Sequence, residues 1–459
     1  MTQFQPAFSP AIDSSGIETL AEAVQFLDGL DVSAMKLGLD RVRDLLATLD
    51  NPQDHFPMVH IAGTNGKGSV TAMLTAILKA AGLKVGSFTS PHLIQVRERI
   101  GINGNPILPD DFQHEVQFLK QHLETLGWPR DQWPTYFEFL NVMAYQFFRQ
   151  KRVDITVFET GLGGRLDSTN VVRQPNLTAI TTIGMDHMQH LGNTLAAIAG
   201  EKAGIIKPGV PVVVGAHIPE EALTVILDKA AQQDAPVILA SDQSLAVSPQ
   251  SNPTEGLLLE DAQTGAAYRL SLLGPYQGQN LAIVLACVEQ LRQQGFAIPQ
   301  QAVLDGLQRA YWPVRFQYFP QQHVVLDGSH NPDGFASLKD TLQLYFPKEP
   351  KLWLVSLRNN RDPQALIEVM QSAGQPLGIM VTQASPNHLY HPPEALAEQL
   401  RAAFPEAFCW IETADTPTEA YTRLLQRRDA MTAGNSDKPL VLVTGSLYSA
   451  GEVLSLAKF

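Results

Sequence analysis

The stretch His60-Ile61-Ala62-Gly63-Thr64-Asn65-Gly66-Lys67-Gly68-Ser69-Val70 most constrains what this chain can become. An apolar run, Pro57-Met58-Val59-His60-Ile61, leads into a glycine-spaced turn, and helical spacing follows from about Ser69 to Ala81. Strand, glycine-rich turn and helix in that order make an anion cradle, because successive backbone N–H groups and a helix N-terminus converge on one point. Lys67 adds a flexible cation for terminal phosphates, and the Ser69 hydroxyl suits a position beside Mg²⁺. The common phosphate loop has four residues between its glycines and Ser or Thr directly after Lys. Here two residues separate Gly63 from Gly66, and Gly68 intervenes before Ser69. A turn that merely ends a strand is the simpler alternative; ATP binding is the reading carried forward.

Further segments follow in order: Thr89-Ser90-Pro91-His92-Leu93, then Glu159-Thr160-Gly161-Leu162-Gly163-Gly164-Arg165-Leu166-Asp167, then Asp186-His187. Glu201-Lys202-Ala203-Gly204-Ile205, Asp327-Gly328-Ser329-His330-Asn331-Pro332 and Val443-Thr444-Gly445-Ser446 complete the series. With the Gly63–Ser69 loop, they resemble the signatures of the folylpolyglutamate synthase/dihydrofolate synthase family of the Mur-ligase superfamily. The resemblance runs from about residue 35 to 453, nearly the whole chain. Each segment alone is weak; seven in order are specific.

Composition sets limits. A chain of 459 residues exceeds one ordinary core and implies two domains. With 44% hydrophobic and 17% charged residues it has a globular make-up, and its net charge of −13 argues against a nucleic-acid binder. Only Cys287 and Cys409 occur, so no disulfide framework is expected, and a reducing cytoplasm is the simple inference. No signal peptide and no uninterrupted 18-residue apolar run is seen, so the expectation is a soluble, cytoplasmic protein with no membrane partner.

Buried-strand patterns near residues 57–61, 84–89, 154–159, 177–183, 211–214 and 236–239 predict a mainly parallel sheet. Short runs separated by polar turns in 245–273 predict a small antiparallel sheet. A second strand–helix alternation begins at Val324. Residues 101–133 read as irregular before a helix from Asp110 to Leu126, and Gln277 to Leu291 as a helix capped by Gln277-Gly278-Gln279-Asn280. Ser69, Ser90, Glu159 and His187 all follow strand-like runs, and in a parallel sheet such ends converge on one edge.

The resemblance implies an α/β fold: a Mur-ligase-like P-loop ATPase domain over 1–310, with a mainly parallel sheet and a small antiparallel one. A Rossmann-like α/β domain over 311–459 would follow, hinged near 311–317. It implies an ATP-dependent ligase adding L-glutamate to dihydropteroate, to folates, or to both, through an acyl phosphate. Lys67, Lys202 and His330 become catalytic candidates, Lys202 as a carbamylated lysine; His330 and Thr444-Gly445-Ser446 are also candidates for the glutamate pocket. Thr64, Asn65, Gly66, Lys67, Gly68, Ser69, Asn280, Arg315 and Asp327 are implied for ATP, and Ser69, Ser90, Glu159 and His187 for one or two Mg²⁺ ions. A monovalent cation is a further candidate cofactor.

Against the pterin or folate the resemblance sets Lys36, Leu37, Gly38, Thr135, Tyr136, Phe137, Glu138, Leu166, Asp167 and Ser168. Read alone, Lys36 to Gly38 is a turn before a helix, the aromatic density after Pro134 is what a core contains, and Lys202 is an exposed salt-bridging lysine. The family usually has glycine where Val314 stands, and of its charged Lys-Asp-Lys-Asp-like segment only Asp362 is clearly retained in Ser356–Asp362. The partners implied are ATP, L-glutamate and dihydropteroate or a folate, bound by a monomer. Alternatives are a folylpolyglutamate synthase alone, or another Mur-type amino-acid ligase. A cell-wall member would need a nucleotide-sugar domain ahead of the loop, where 62 residues precede Gly63. A non-ligase nucleotide switch is the rival from another class, and its guanine-reading Asn-Lys-x-Asp pattern is missing.

Overall fold

The computed structural model describes residues 17–30, 38–385, 387–404, 409–431 and 438–456. The first sheet contains β1 (Met58–Ala62), β2 (Val85–Phe88), β3 (Ile100–Ile102), β4 (Asn105–Pro106), β5 (Ile155–Glu159), β6 (Leu177–Ile180), β7 (Val212–Val214) and β8 (Val237–Leu239). Their order is β4-β3-β2-β5-β1-β6-β7-β8. The six strands from β2 to β8 in that order are parallel, and β3 and β4 turn back antiparallel at one edge. β1 is buried along its whole length with a parallel neighbour on either side. That explains why it reads as a continuous apolar run rather than an alternating one.

The expected small sheet is present as β9 (Leu245–Val247), β10 (Leu257–Asp261) and β11 (Ala267–Leu270), all antiparallel. The last sheet holds β12 (Gln317–Phe319), β13 (Val324–Leu326), β14 (Lys351–Val355), β15 (Gly378–Val381), β16 (Trp410–Thr413) and β17 (Leu440–Thr444). Its order is β12-β13-β17-β14-β15-β16, parallel except for the edge strand β12.

Both faces of the first sheet are covered. On one, helix Lys67–Ala80 packs with helix Gln277–Gln293 in an aliphatic layer of Val70, Leu74, Ile77, Leu281 and Val284. On the other, helix Tyr136–Lys151 lays Phe139, Tyr145 and Phe148 over Phe88 and Phe158, with Tyr145 stacked 4.8 Å from Phe158. Each such aromatic contributes roughly 1.5–3 kcal/mol by leaving water. Most of the aromatic density after Pro134 is therefore core, and only the helix's first turn reaches the cleft described below.

Some segments depart from the sequence reading or lie beyond it. Residues 101–133 are not wholly irregular, since β3 and β4 form a short hairpin there. β12 is too short to announce itself, and helix Gln300–Arg309, although its apolar residues share one face, is not among the elements read from the sequence. Asn280 is not a cap: helix Gln277–Gln293 is preceded by Tyr276 with no side-chain cap, and Asn280 lies buried within its first turn. Lys36 and Leu37 lie outside the described residues.

Candidate active site

The carboxyl ends of β1, β2, β5 and β6 open onto one edge of the first sheet, and those of β13, β14 and β17 face them from the last. Between them lies a cleft of about 620 Å³.

At its floor, Gly66 takes a left-handed backbone (φ +88) and precedes helix Lys67–Ala80. A Cβ there would be strained and would sit 2.5 Å from Asn280 Oδ1, so glycine is required and Asn280 supports the loop from behind. A Cβ on Gly68 would strike the Trp312 ring at 2.4 Å, so the loop passes directly beneath that indole. The turn is fastened to the segment after β6. Thr64 N–H donates to Thr182 O at 2.8 Å, Asn65 N–H to Thr182 Oγ1 at 3.0 Å, and Thr181 Oγ1 to Asn65 O at 2.6 Å.

Two lysines converge on one carbonyl. Lys67 Nζ donates to Gly63 O at 2.8 Å and to Thr64 O at 3.2 Å, while Lys202 Nζ donates to Gly63 O at 2.9 Å. Lys202 is thus buried against the loop and not an exposed surface lysine; its neighbour Glu201 makes the surface bridge, to Arg165 at 2.8 Å. Burial lowers both ammonium pKa values. For Lys202, burial followed by repulsion from Lys67 brings it down to about 7.

Glu159 ends β5, fully buried. Desolvation pushes its carboxyl up to about 7 although Lys67 and the Ser90 N–H, which donates to Glu159 Oε1, pull the other way. Ser69, Ser90, Glu159 and His187 all line the cleft. Among the described residues no three His, Cys, Asp or Glu side chains cluster as a ready-made metal cage. His187 is half exposed, with Nε2 3.9 Å from Asp186 Oδ2.

The first turn of helix Tyr136–Lys151 forms a side wall. Thr135 caps it, and Glu138 completes a capping box by accepting from Thr135 N–H at 2.8 Å. Glu138 lines the cleft and also takes Arg41 at 2.7 Å, so its oxygens are engaged within the protein. The Phe137 ring is wedged between Phe88 and Gly161, and the Arg99 guanidinium lies 5.7 Å from the Tyr136 ring. Leu166, Asp167 and Ser168 also line the cleft; Gly38 is not among its lining residues.

From the far sheet come Arg315, His330, Arg358, Arg361 and Ser446. His330 Nδ1 lies 2.8 Å from Gly328 O; the carbonyl can only accept, so Nδ1 carries the proton and Nε2 is the acceptor. Asp327 does not line the cleft. Its carboxylate accepts from Phe316 N–H at 3.0 Å and Ser329 N–H at 2.9 Å, bracing the segment that carries Arg315.

Arg358, Arg361, Arg99 and Trp312 are cleft residues that the sequence reading missed. The signal for the first two was present: a pair of arginines three apart, directly beyond the carboxyl end of a parallel strand.

Residues 61–288 match the Mur ligase middle domain. The chain is 39% identical over 363 residues to the dihydrofolate synthase/folylpolyglutamate synthase of Bacillus subtilis, covering 76% of this chain and 82% of that one. It is 33% identical over 418 residues to the folylpolyglutamate synthase of Lacticaseibacillus casei, covering 90% and 92%. The solved Mycobacterium tuberculosis folylpolyglutamate synthase, complexed with ADP and AMPPCP, superimposes with a TM-score of 0.81 at 30% identity, over 95% of this chain and 98% of that one.

Proposed function

This chain belongs to the folylpolyglutamate synthase/dihydrofolate synthase family, ATP-dependent ligases that add L-glutamate to dihydropteroate, to folates, or to both, and we propose that it catalyses both reactions in the one cleft. The observation that carries the reading is the meeting in that cleft of a phosphate loop, an aromatic side wall and a cationic far wall.

A carboxylate is a poor electrophile, so its oxygen first attacks the γ-phosphorus of ATP, expelling ADP and giving an acyl phosphate. The glutamate amine then attacks the acyl carbon, the C–O bond breaks, and phosphate leaves. Catalysis of both steps is chiefly positioning and charge neutralisation. Lys67 turns from the Gly63 and Thr64 carbonyls to the transferring phosphate, with Arg315 as the second cation. His330 Nε2 takes the proton that the amine sheds, and Arg358 attracts the carboxylates of the incoming glutamate. Thr135 to Phe137 and Leu166 to Ser168 flank the pterin, whose flat apolar faces suit such walls.

The residues of the floor fit Mg²⁺. Ser69, Ser90 and Glu159 supply hard oxygens and His187 an imidazole, and a buried carboxylate raised to about 7 is one that a divalent cation would keep ionised. One or two such ions, when bound, neutralise charge on the phosphate oxygens. Lys202, with an amine that burial leaves about half neutral near pH 7, suits carbamylation, which replaces a repelled cation by an anion able to support a cation. Residues 311–317 act as the hinge between a unit ending near 310 and one beginning there. Two free, buried thiols, Cys287 and Cys409, suit a reducing cytoplasm, and a monomer is proposed there. Among the described residues no helix is long and apolar enough to cross a membrane.

The test is mass spectrometry of products formed with ATP, Mg²⁺ and glutamate from dihydropteroate and, separately, from tetrahydrofolate. A glutamyl mass gain on both acceptors is expected. A gain on one only removes the dual activity, and phosphate release with neither product overturns the assignment.

A further inference from the structure

His60 sits fully buried in the middle of β1, three residues ahead of Gly63. Its Nε2 lies 2.9 Å from Thr169 Oγ1, and that hydroxyl donates to Asp167 Oδ1 at 2.5 Å. A hydroxyl has one proton to give. Because Thr169 spends it on the carboxylate, its oxygen accepts from the imidazole, and the ring is held as the Nε2–H tautomer. Nδ1, which has no hydrogen-bond partner, is then a bare lone pair rather than a stranded N–H. Burial keeps the ring neutral, bringing its pKa down to about 3.

Asp167 gathers more than this hydroxyl. It accepts from Leu162 N–H at 2.8 Å and from Thr169 N–H at 3.0 Å, capping the turn Ser168–Val171. Tyr145 Oη fixes the same turn through Thr169 O at 3.0 Å. One carboxylate therefore shapes the whole cleft-facing segment around Leu166 and Ser168, and the imidazole ties that carboxylate to the strand bearing the phosphate loop.

We propose that His60 is a positioning residue: the chain His60–Thr169–Asp167 registers the pteridine-facing wall against the phosphate loop. The proposal rests on the assignment of Leu166 to Ser168 to the pteridine made above. Its chemical sense is that the reacting carboxylate must meet the γ-phosphorus in line, so a wall free to shift misplaces the acceptor while leaving the nucleotide seated.

Two measurements on the full chain test it. In protein labelled with ¹⁵N-histidine, two-bond proton–nitrogen correlations identify each ring's tautomer, and the resonance lost in His60→Gln assigns His60. An Nε2–H pattern is expected; an Nδ1–H or doubly protonated ring overturns the chain. In kinetics, Thr169→Val keeps the side chain's shape but removes its hydroxyl. With the bonds to both His60 and Asp167 lost, KM for dihydropteroate should rise about tenfold or more, with KM for ATP little changed. Thr169→Ser should restore it.

An equal rise in KM for ATP, or no rescue by serine, defeats the positioning role. Leu166→Ala separates the two readings. If it raises KM for dihydropteroate while Thr169→Val does not, the relay is wrong and the wall assignment stands. If neither does, the wall assignment itself has failed.

Discussion

Arg361 and Asp186 meet across the cleft: Arg361 Nη2, just beyond β14, donates to Asp186 Oδ1 at 2.6 Å, with both side chains largely buried. Burial of Asp186 works against its charge, yet His187, Arg361 and His330 together hold its carboxyl below the usual value. Close by, a Cβ on Gly184 would lie 2.3 Å from Asp333, and Asn331 Nδ2 reaches Asn65 Oδ1 at 3.4 Å. The bridge thus closes the far sheet onto the phosphate loop, in a segment where the sequence had shown only a broken family pattern.

Arg361→Gln removes that closure. Losing one partner of a desolvated charge pair costs about 2 kcal/mol, so kcat/KM for glutamate should fall roughly thirty-fold and the radius of gyration in X-ray scattering should grow. Unaltered kinetics and scattering would make the bridge incidental.

Lys67→Ala should lower kcat by roughly 10² to 10³, the scale of a lost transition-state donor. The thermal midpoint should move by only a few degrees, because the side chain packs on loop carbonyls and not in an apolar core. A folded variant with near-normal turnover would sink the phosphate-loop assignment.

Lys202 links chemistry to stability. Its folded pKa of about 7 lies below the ordinary 10.5, so between those values the unfolded chain binds the extra proton and stability should rise with pH. Lys202→Met should flatten that rise. With ¹³C-bicarbonate, a carbamate resonance should appear in the wild type and vanish in Lys202→Ala. Activity of the alanine variant should recover in part with acetate; failure of both signals would leave Lys202 a purely structural donor.

Glu115, buried on helix Pro109–Leu126, gives the opposite slope. Burial, then repulsion from Asp111, raises its carboxyl to about 7. The folded chain holds the proton between 4.5 and 7, so its contribution is full below 4.5 and lost as pH climbs through 7. Over that window denaturant titrations should show Glu115→Gln gaining about 3 kcal/mol on the wild type. Parallel curves would show that water reaches the carboxylate.

Much of this was legible in the chain. The long buried strands declared themselves because both faces are covered, and Ser90, Glu159 and His187 were placed at one edge by the rule for parallel sheets. What stayed hidden depended on contacts distant in sequence. Nothing near Glu138 shows that Arg41 will occupy it, nothing near Asp327 that it will serve Phe316, and nothing near Lys202 that Gly63 awaits it. Short elements such as β3, β4 and β12 lack the length in which a period can be counted.

Val314 stands in the left-handed region at φ +59, fully buried, and Phe316 follows at φ +44, with Arg315 between them. A branched side chain tolerates that region at a cost of about 1–3 kcal/mol, so this linker is held in shape by the carbonyl that accepts Gly328 N–H and the amide that Asp327 receives. At the hinge proposed above, glycine at 314 would open a broad range of backbone settings, whereas valine is confined to a few narrow basins separated by steric ridges. The consequence is mechanical: the proposed hinge should behave as a toggle, snapping between discrete settings. Spin labels on either side should report two sharp distances, which Val314→Gly would smear into one broad distribution.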